Sequence, residues 1–169
     1  QIPIHLRAEE GLGYLPQQRS VFNMSVYDNI LGVAQISIKG IDKQKEITEK
    51  LLDEFNLQHL RSLNANVLSG GELRRLMMAR VMINDPKVVL LDEPYAALDP
   101  LIIQDISKYI LSIQAKKTSI IVSDHNVKNL FDIVDRAYVL GSQGVIAEGT
   151  PRELLKSSKA VESYFGSNF

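Results

Sequence analysis

The sequence predicts an α/β chain with a mostly parallel sheet and a helical lobe inserted into it. Three observations carry that expectation. Val88-Val89-Leu90-Leu91 and Ser119-Ile120-Ile121-Val122 are short apolar runs, each followed by a helix start, as buried parallel strands are. Between residues 20 and 85 the apolar positions recur at helical spacing. The order that results is strand, helices, then strand-helix-strand-helix, which suits a layered α/β arrangement.

Taken in order, Gly13-Tyr14-Leu15-Pro16 reads as a short strand stopped by proline, with polar Gln17-Gln18-Arg19-Ser20 as the loop after it. Ser25 can cap a helix over about 26–35. A second helix spans about 42–55, with Ile47, Leu51 and Phe55 on one face and Glu46 and Lys50 in the favourable i,i+4 order. A third begins at Ser69, where Ser-Gly-Gly-Glu fits a capping box; Leu73, Leu76, Met77 and Ile83 form its apolar face, with Arg74 and Arg75 off it. The run at 88–91 is expected to be covered on both faces, and 119–122 repeats that pattern. Asp99-Pro100 sets an N-cap with proline at the first helical position, opening a helix to about residue 114. A short helix follows from about Asn126. Residues 137–140 and 145–148, joined through Gly141-Ser142-Gln143-Gly144, read as a hairpin, and Thr150-Pro151-Arg152-Glu153 is a capping box starting the C-terminal helices. The expected organisation is an end of a core layer over 1–19, a helical lobe over 20–86 and the remainder of the core over 87–169.

Composition narrows the function classes. With 169 residues, 45% hydrophobic, 23% charged and a net charge of −1, the chain offers no global electrostatic reason to bind nucleic acid. The absence of cysteine excludes disulfides, thiolate zinc sites and cysteine nucleophiles. No apolar run approaches the roughly 18–20 residues of a membrane-spanning helix. Gln1-Ile2-Pro3-Ile4 has neither an initiator methionine nor a signal-like apolar stretch, so the start is expected to be the middle of a longer protein.

The chemistry concentrates at strand ends. Asp92-Glu93 closes the first apolar run, at the carboxyl edge where open α/β sheets bind ligands. The first acid can hold Mg²⁺, usually through water, and the second can polarise a water that attacks a phosphoryl group; the bland alternative is two solvated acids. Leu68-Ser69-Gly70-Gly71-Glu72 reads equally as a plain capping box or as an anion cradle. In the second case free N–H groups at a helix start, with two residues lacking Cβ, admit a phosphate. His125, just past the second apolar run, could reach the same edge; a lone histidine is more often structural. Gln17 could present its amide near a metal and an attacking water. His5 and His59 lack such context.

Together these segments resemble the nucleotide-binding domain of ATP-binding-cassette (ABC) proteins, over nearly the whole chain. Gln17 matches that family's Q-loop glutamine, Leu68 to Glu72 its signature sequence, Val88 to Glu93 its Walker B strand and catalytic glutamate, Ala97-Leu98-Asp99 its D-loop, and His125 its switch histidine. The resemblance implies a RecA-like P-loop NTPase core with an inserted helical signature subdomain, ATP and Mg²⁺ as ligands, and two such domains sandwiching two ATP molecules head to tail. It assigns Glu93, His125 and Gln17 to catalysis, Asp92 and Gln17 to the metal, and Ser69, Gly70, Gly71, Glu72 and Asp99 to nucleotide contacts. None of the ten glycines precedes a lysine, so the family's phosphate loop is not among these residues. The core is expected to be incomplete and the chain inactive alone.

Within the family, Gly11-Leu12-Gly13-Tyr14-Leu15-Pro16-Gln17, Ser20-Val21-Phe22, Ser25-Val26-Tyr27-Asp28-Asn29, Ser123-Asp124-His125-Asn126-Val127 and Val161-Glu162-Ser163-Tyr164-Phe165-Gly166 resemble the subgroup that powers lipopolysaccharide export. Branched-chain amino-acid importer ATPases share several of these segments, and a soluble ABC ATPase or a non-hydrolysing cassette are the other readings. An exporter ATPase would sit on the cytoplasmic face of the inner membrane. There Val21, Phe22, Met24 and Tyr27 would line a groove for a coupling helix of the membrane subunits, unless they pack into the helical lobe.

Overall fold

The structure, a computed structural model, describes residues 3–141 and 144–157. The hairpin link through Ser142 and Gln143, and everything expected after Ser157, lie outside the described residues. The chain divides into two compact units, Gln1–His125 and Asn126–Phe169.

The first unit is built on β1 (Leu12–Leu15), β2 (Val88–Asp92) and β3 (Ser119–Ser123). Strand β2 lies in the centre and pairs parallel on both sides, with Leu15 opposite Leu91 and Asp92 opposite Ser123. A short helix, α1 (Ile4–Glu9), precedes β1 without having been anticipated from the sequence. Between β1 and β2 the chain makes α2 (Val26–Ser37), α3 (Ile41–Glu54) and α4 (Gly70–Val81), and α5 (Pro100–Ala115) joins β2 to β3. Leu15, Val26, Ile30, Leu52, Phe55, Leu57, Leu76 and Met78 are fully buried in its core. Each such side chain contributes about 1.5–3 kcal/mol through removal from water. Phe55 also stacks on Tyr109 of α5, with ring centroids 5.4 Å apart.

Several expectations change in detail. In α3 the buried positions are Thr48, Leu51 and Leu52, with Phe55 just after it, while Ile47 is only half-buried. Glu49 and Glu54 of this helix pair with Arg61 (at 2.8 Å) and Lys116, both outside the helix rather than along it. Strand β2 alternates buried and half-buried residues instead of being covered on both faces. Strand β3 is not buried: Ile121 is 61% exposed, because β3 forms an edge of the three-stranded sheet. Arg74 is the largest correction. It was placed off the apolar face of its helix, yet only 7% of it is exposed, while Leu73 is half-buried.

In the second unit, α6 (Val127–Phe131) precedes the antiparallel pair β4 (Ala137–Gly141) and β5 (Gly144–Gly149), followed by α7 (Pro151–Leu154). Val139 and Leu154 form its core, packed by Val127, Phe131 and Ile146. Thr150 and Glu153 close the expected capping box. Among the described residues, no helix is long and apolar enough to cross a membrane.

One close approach positions the start of α4. A Cβ added at buried Gly71 would lie 2.7 Å from Cγ2 of Ile102 on α5. In an open helix, exchanging glycine for alanine would stabilise by roughly 0.5–1 kcal/mol; here Gly71→Ala is expected to destabilise by about 1–3 kcal/mol through overpacking. Urea denaturation of Gly71→Ala, Ile102→Ala and the double variant checks this, since removing the Ile102 side chain should recover most of the Gly71→Ala loss.

Candidate active site

Because β1, β2 and β3 run parallel, the residues that follow each strand emerge at one edge of the sheet. Gln17 follows β1 by two residues, Glu93 follows β2 directly, and His125 follows β3 by two. The side-chain amide of Gln17 donates to Oε2 of Glu93 at 2.7 Å. The same oxygen lies 3.6 Å from Nδ1 of His125, which is also 3.7 Å from Oδ1 of Asp124. Those two distances exceed hydrogen-bond length, so the imidazole stands beside the acids without being bound to them. Gln17, Glu93 and His125 therefore meet in one cluster.

The chain is bent sharply to do this. Glu93 has φ 43° and Ala97 φ 57°, in the left-handed region that side chains other than glycine adopt at a cost. The N–H of Glu93 donates to the Ser123 carbonyl at 2.8 Å, and its own carbonyl accepts from Ala96 at 3.1 Å. Asp92 is held from two sides: Ser123 Oγ donates to Oδ1 at 2.9 Å and the Tyr14 hydroxyl to Oδ2 at 3.3 Å. Partial desolvation, with the charge and hydrogen bond of Asp92 adding to it, raises the pKa of the Tyr14 hydroxyl.

Arg74 ties two of the backbone segments that carry the cluster. Its Nη1 donates to the carbonyl of Pro16 at 3.2 Å and its Nη2 to that of Glu93 at 3.5 Å. Burial lowers its pKa, and the nearby Asp124 carboxylate opposes that shift. The side chain of Asp124 is itself fully shielded, and its Oδ2 accepts from the N–H of Tyr95 at 3.0 Å. Sequence reasoning missed Arg74, although it lies at helical spacing between buried Gly71 and Met78, which is the available signal.

The Leu68–Glu72 segment forms a separate site. Glu72 turns back on Ser69, accepting from its N–H at 2.8 Å and its hydroxyl at 2.7 Å, so the capping box is closed. Neither residue hydrogen-bonds to the Gln17–Glu93–His125 cluster among the described residues. A Cβ on Gly70 would come 3.0 Å from Leu98, so both glycines serve close packing. Oδ1 of Asp99 caps α5, accepting from Leu101 and Ile102 at 3.0 and 3.1 Å.

The segment after Gln17 is also tied down. Asn29, fully buried, accepts from the N–H of Phe22 and donates to the carbonyls of Phe22, Met24 and Ser25. Phe22 and Met24 are 45% and 40% exposed, whereas Val21 and Tyr27 are half-buried. The Arg80 guanidinium lies 4.6 Å from the Phe22 ring centre and that of Arg61 lies 5.0 Å from Tyr27.

Among the described residues, no three His, Asp or Glu side chains converge as a metal cage. At this sheet edge Asp92 and Gln17 offer oxygen donors, the ligand type that Mg²⁺ takes. That ion keeps several waters and is bound through one or two carboxylates together with substrate phosphates.

The ABC transporter family profile matches residues 3–96. The chain is 38% identical to the lipopolysaccharide export system ATP-binding protein LptB of Haemophilus influenzae, over 99% of this chain and 70% of that protein. With LptB of Acidithiobacillus ferridurans it shares 39% identity over the same proportions. Among solved structures, cbiO1 from Clostridium perfringens, part of the ABC transporter complex cbiONQ, aligns with a TM-score of 0.83 at 26% identity, covering 93% of this chain and 64% of that one. MJ1267, an ATP-binding cassette of an ABC transporter in its ADP conformation, aligns with a TM-score of 0.81 at 27% identity, covering 96% and 71%.

The capping box generates a pH-dependent expectation. Hydrogen bonds from the Ser69 side chain and backbone hold the Glu72 carboxyl below its ordinary pKa. Its stabilisation is therefore complete above the ordinary glutamate pKa and is lost as pH falls through the lower folded value. Ser69→Ala should cost about 1 kcal/mol at neutral pH and less in the acid range. Urea midpoints at both pH values measure the difference, and an equal loss at both would contradict the assignment.

Proposed function

The chain belongs to the ABC transporter family of ATP-binding proteins, and on that premise we propose that it powers lipopolysaccharide export as the ATP-hydrolysing subunit. The observation that carries the chemistry is the hydrogen bond from Gln17 to Glu93 beside His125. One carboxylate oxygen of Glu93 accepts from Gln17, which leaves the other to polarise a water for in-line attack on the terminal phosphate. Nδ1 of His125 faces Glu93, so its opposite ring nitrogen is free to contact that phosphate. Asp92 and the amide oxygen of Gln17 would hold Mg²⁺, which when bound neutralises phosphate charge. A phosphate loop outside these 169 residues would complete the site. Ser69, Gly70 and Gly71, with the helix start they open, would contact the nucleotide held by a second copy in a head-to-tail dimer, the site Asp99 also borders. Glu72 contributes to that role indirectly, by fixing the Ser69 hydroxyl.

The export assignment rests on the similarity to LptB over 99% of the chain. The exposure of Phe22 and Met24 supports a docking surface there, flanked by Val21 and Tyr27, for a coupling helix of membrane subunits. The subunit would then be peripheral on the cytoplasmic side of the inner membrane.

Two experiments on the full-length protein test this reading. Glu93→Gln should lower ATP turnover by about 10²–10⁴-fold while ATP binding persists; undiminished turnover would overturn it. Phe22→Ala should abolish co-purification with the lipopolysaccharide-export membrane subunits and leave the ATPase activity of the isolated subunit unchanged. Retained co-purification would remove Phe22 from the docking surface.

A further inference from the structure

We propose that Arg74 is a positioning residue that sets Gln17, Glu93 and His125 in one arrangement and ties that arrangement to the helix opened by Ser69. Its catalytic consequence rests on the function proposed above; the positioning itself rests on geometry. Each candidate catalytic residue is adjacent to, or is, a group on which the Arg74 guanidinium bears. Pro16, whose carbonyl accepts from Nη1 at 3.2 Å, directly precedes Gln17. The carbonyl of Glu93 itself accepts from Nη2 at 3.5 Å. Asp124, the buried acid whose charge acts on Arg74, directly precedes His125.

The residue type matters. The planar fork of arginine can serve two acceptors in fixed directions, whereas a lysine ammonium is a single point charge. The two carbonyls belong to the ends of different strands, β1 and β2, which no direct backbone bond joins beyond Leu15 and Leu91. Arg74 as a whole is 7% exposed and has little water to fall back on, so these protein partners fix its place. Arg74 lies four residues into α4 from Gly70, about 6 Å along the axis. The start of α4 is packed tightly on Ile102 at Gly71. A displacement of the helix start on meeting a ligand is therefore carried by a rigid element to the carbonyls that bracket Gln17 and Glu93.

Arg74→Lys in the full-length protein tests the proposal, because it keeps a positive charge facing Asp124 and removes the fork. The Tm should be close to that of the parent, and KM for ATP should stay within about threefold while kcat falls by about tenfold to a hundredfold. In nucleotide-free ¹H–¹⁵N spectra the Gln17 side-chain amide and the Glu93 backbone amide should shift. Arg74→Gln, which also strips the charge opposing Asp124, should lower both Tm and kcat. Wild-type kcat in Arg74→Lys, or unmoved Gln17 and Glu93 amides, would overturn the positioning role. A parent protein that turns over no ATP would instead overturn the functional reading, and the amide shifts would still decide whether Arg74 organises the cluster.

Discussion

Parallel pairing of β2 to both of its neighbours forces three separate stretches of chain to end at the same edge. With Leu15 opposite Leu91 and Asp92 opposite Ser123, the residues after β1, β2 and β3 cannot avoid one another. Gln17, Glu93 and His125 are as many as 108 positions apart in the chain yet lie side by side for this reason alone. A slip of one residue in either pairing would send Asp92 or Glu93 to the opposite face, since side chains alternate along a strand. The left-handed turn at Glu93 then converts a strand end into a presented carboxylate, and its bond to the Ser123 carbonyl holds the strained backbone in place.

Local chemistry at the edges of this arrangement does double duty. Ser69 and Glu72 satisfy each other as a cap, Asp99 caps α5, and Asn29 satisfies three carbonyls and one N–H of the segment carrying Phe22 and Met24. Of these groups Asn29 is the buried one, and its amide is tolerated inside because it is paired in this way. The pairing also pre-organises the surfaces proposed to meet nucleotide and membrane subunits, because a loop already tied to Asn29 loses less conformational freedom on docking. Gly71 shows the same economy: its missing side chain lets α4 lie against Ile102 and leaves the helix start open.

Charge burial supplies the remaining link. Arg74 is 7% exposed and the side chain of Asp124 is shielded, so the Asp124 charge opposes the cost of burying the guanidinium. The hydrogen bonds of Arg74 to the Pro16 and Glu93 carbonyls have few alternative geometries in that setting. Arg80, further along α4, donates to the Ser20 carbonyl while its guanidinium faces Phe22. Helix α4 thus contacts the segment after β1 at two points, Pro16 and Ser20.

The sequence by itself determined most of the secondary elements and supplied the residues proposed for the site. Ser25, Ser69, Asp99 and Thr150 each cap the helix they were expected to cap, since capping depends on residues within one turn. The strands at β1, β2 and β3, and the hairpin of β4 and β5, were legible from apolar runs bounded by proline, glycine and acids. Short α1 was not, because six residues carry too little periodicity. Only the tertiary structure decided that β3 lies at an edge of the three-stranded sheet among the described residues, that Tyr14 and Ser123 hold Asp92, and that Arg74 lies inside. A charged side chain reads as exposed until partners far along the chain are known, and those of Arg74 are 58, 19 and 50 residues away at Pro16, Glu93 and Asp124. Local patterns are set by neighbours in sequence; which buried charge is compensated is set by which strand ends the fold brings together.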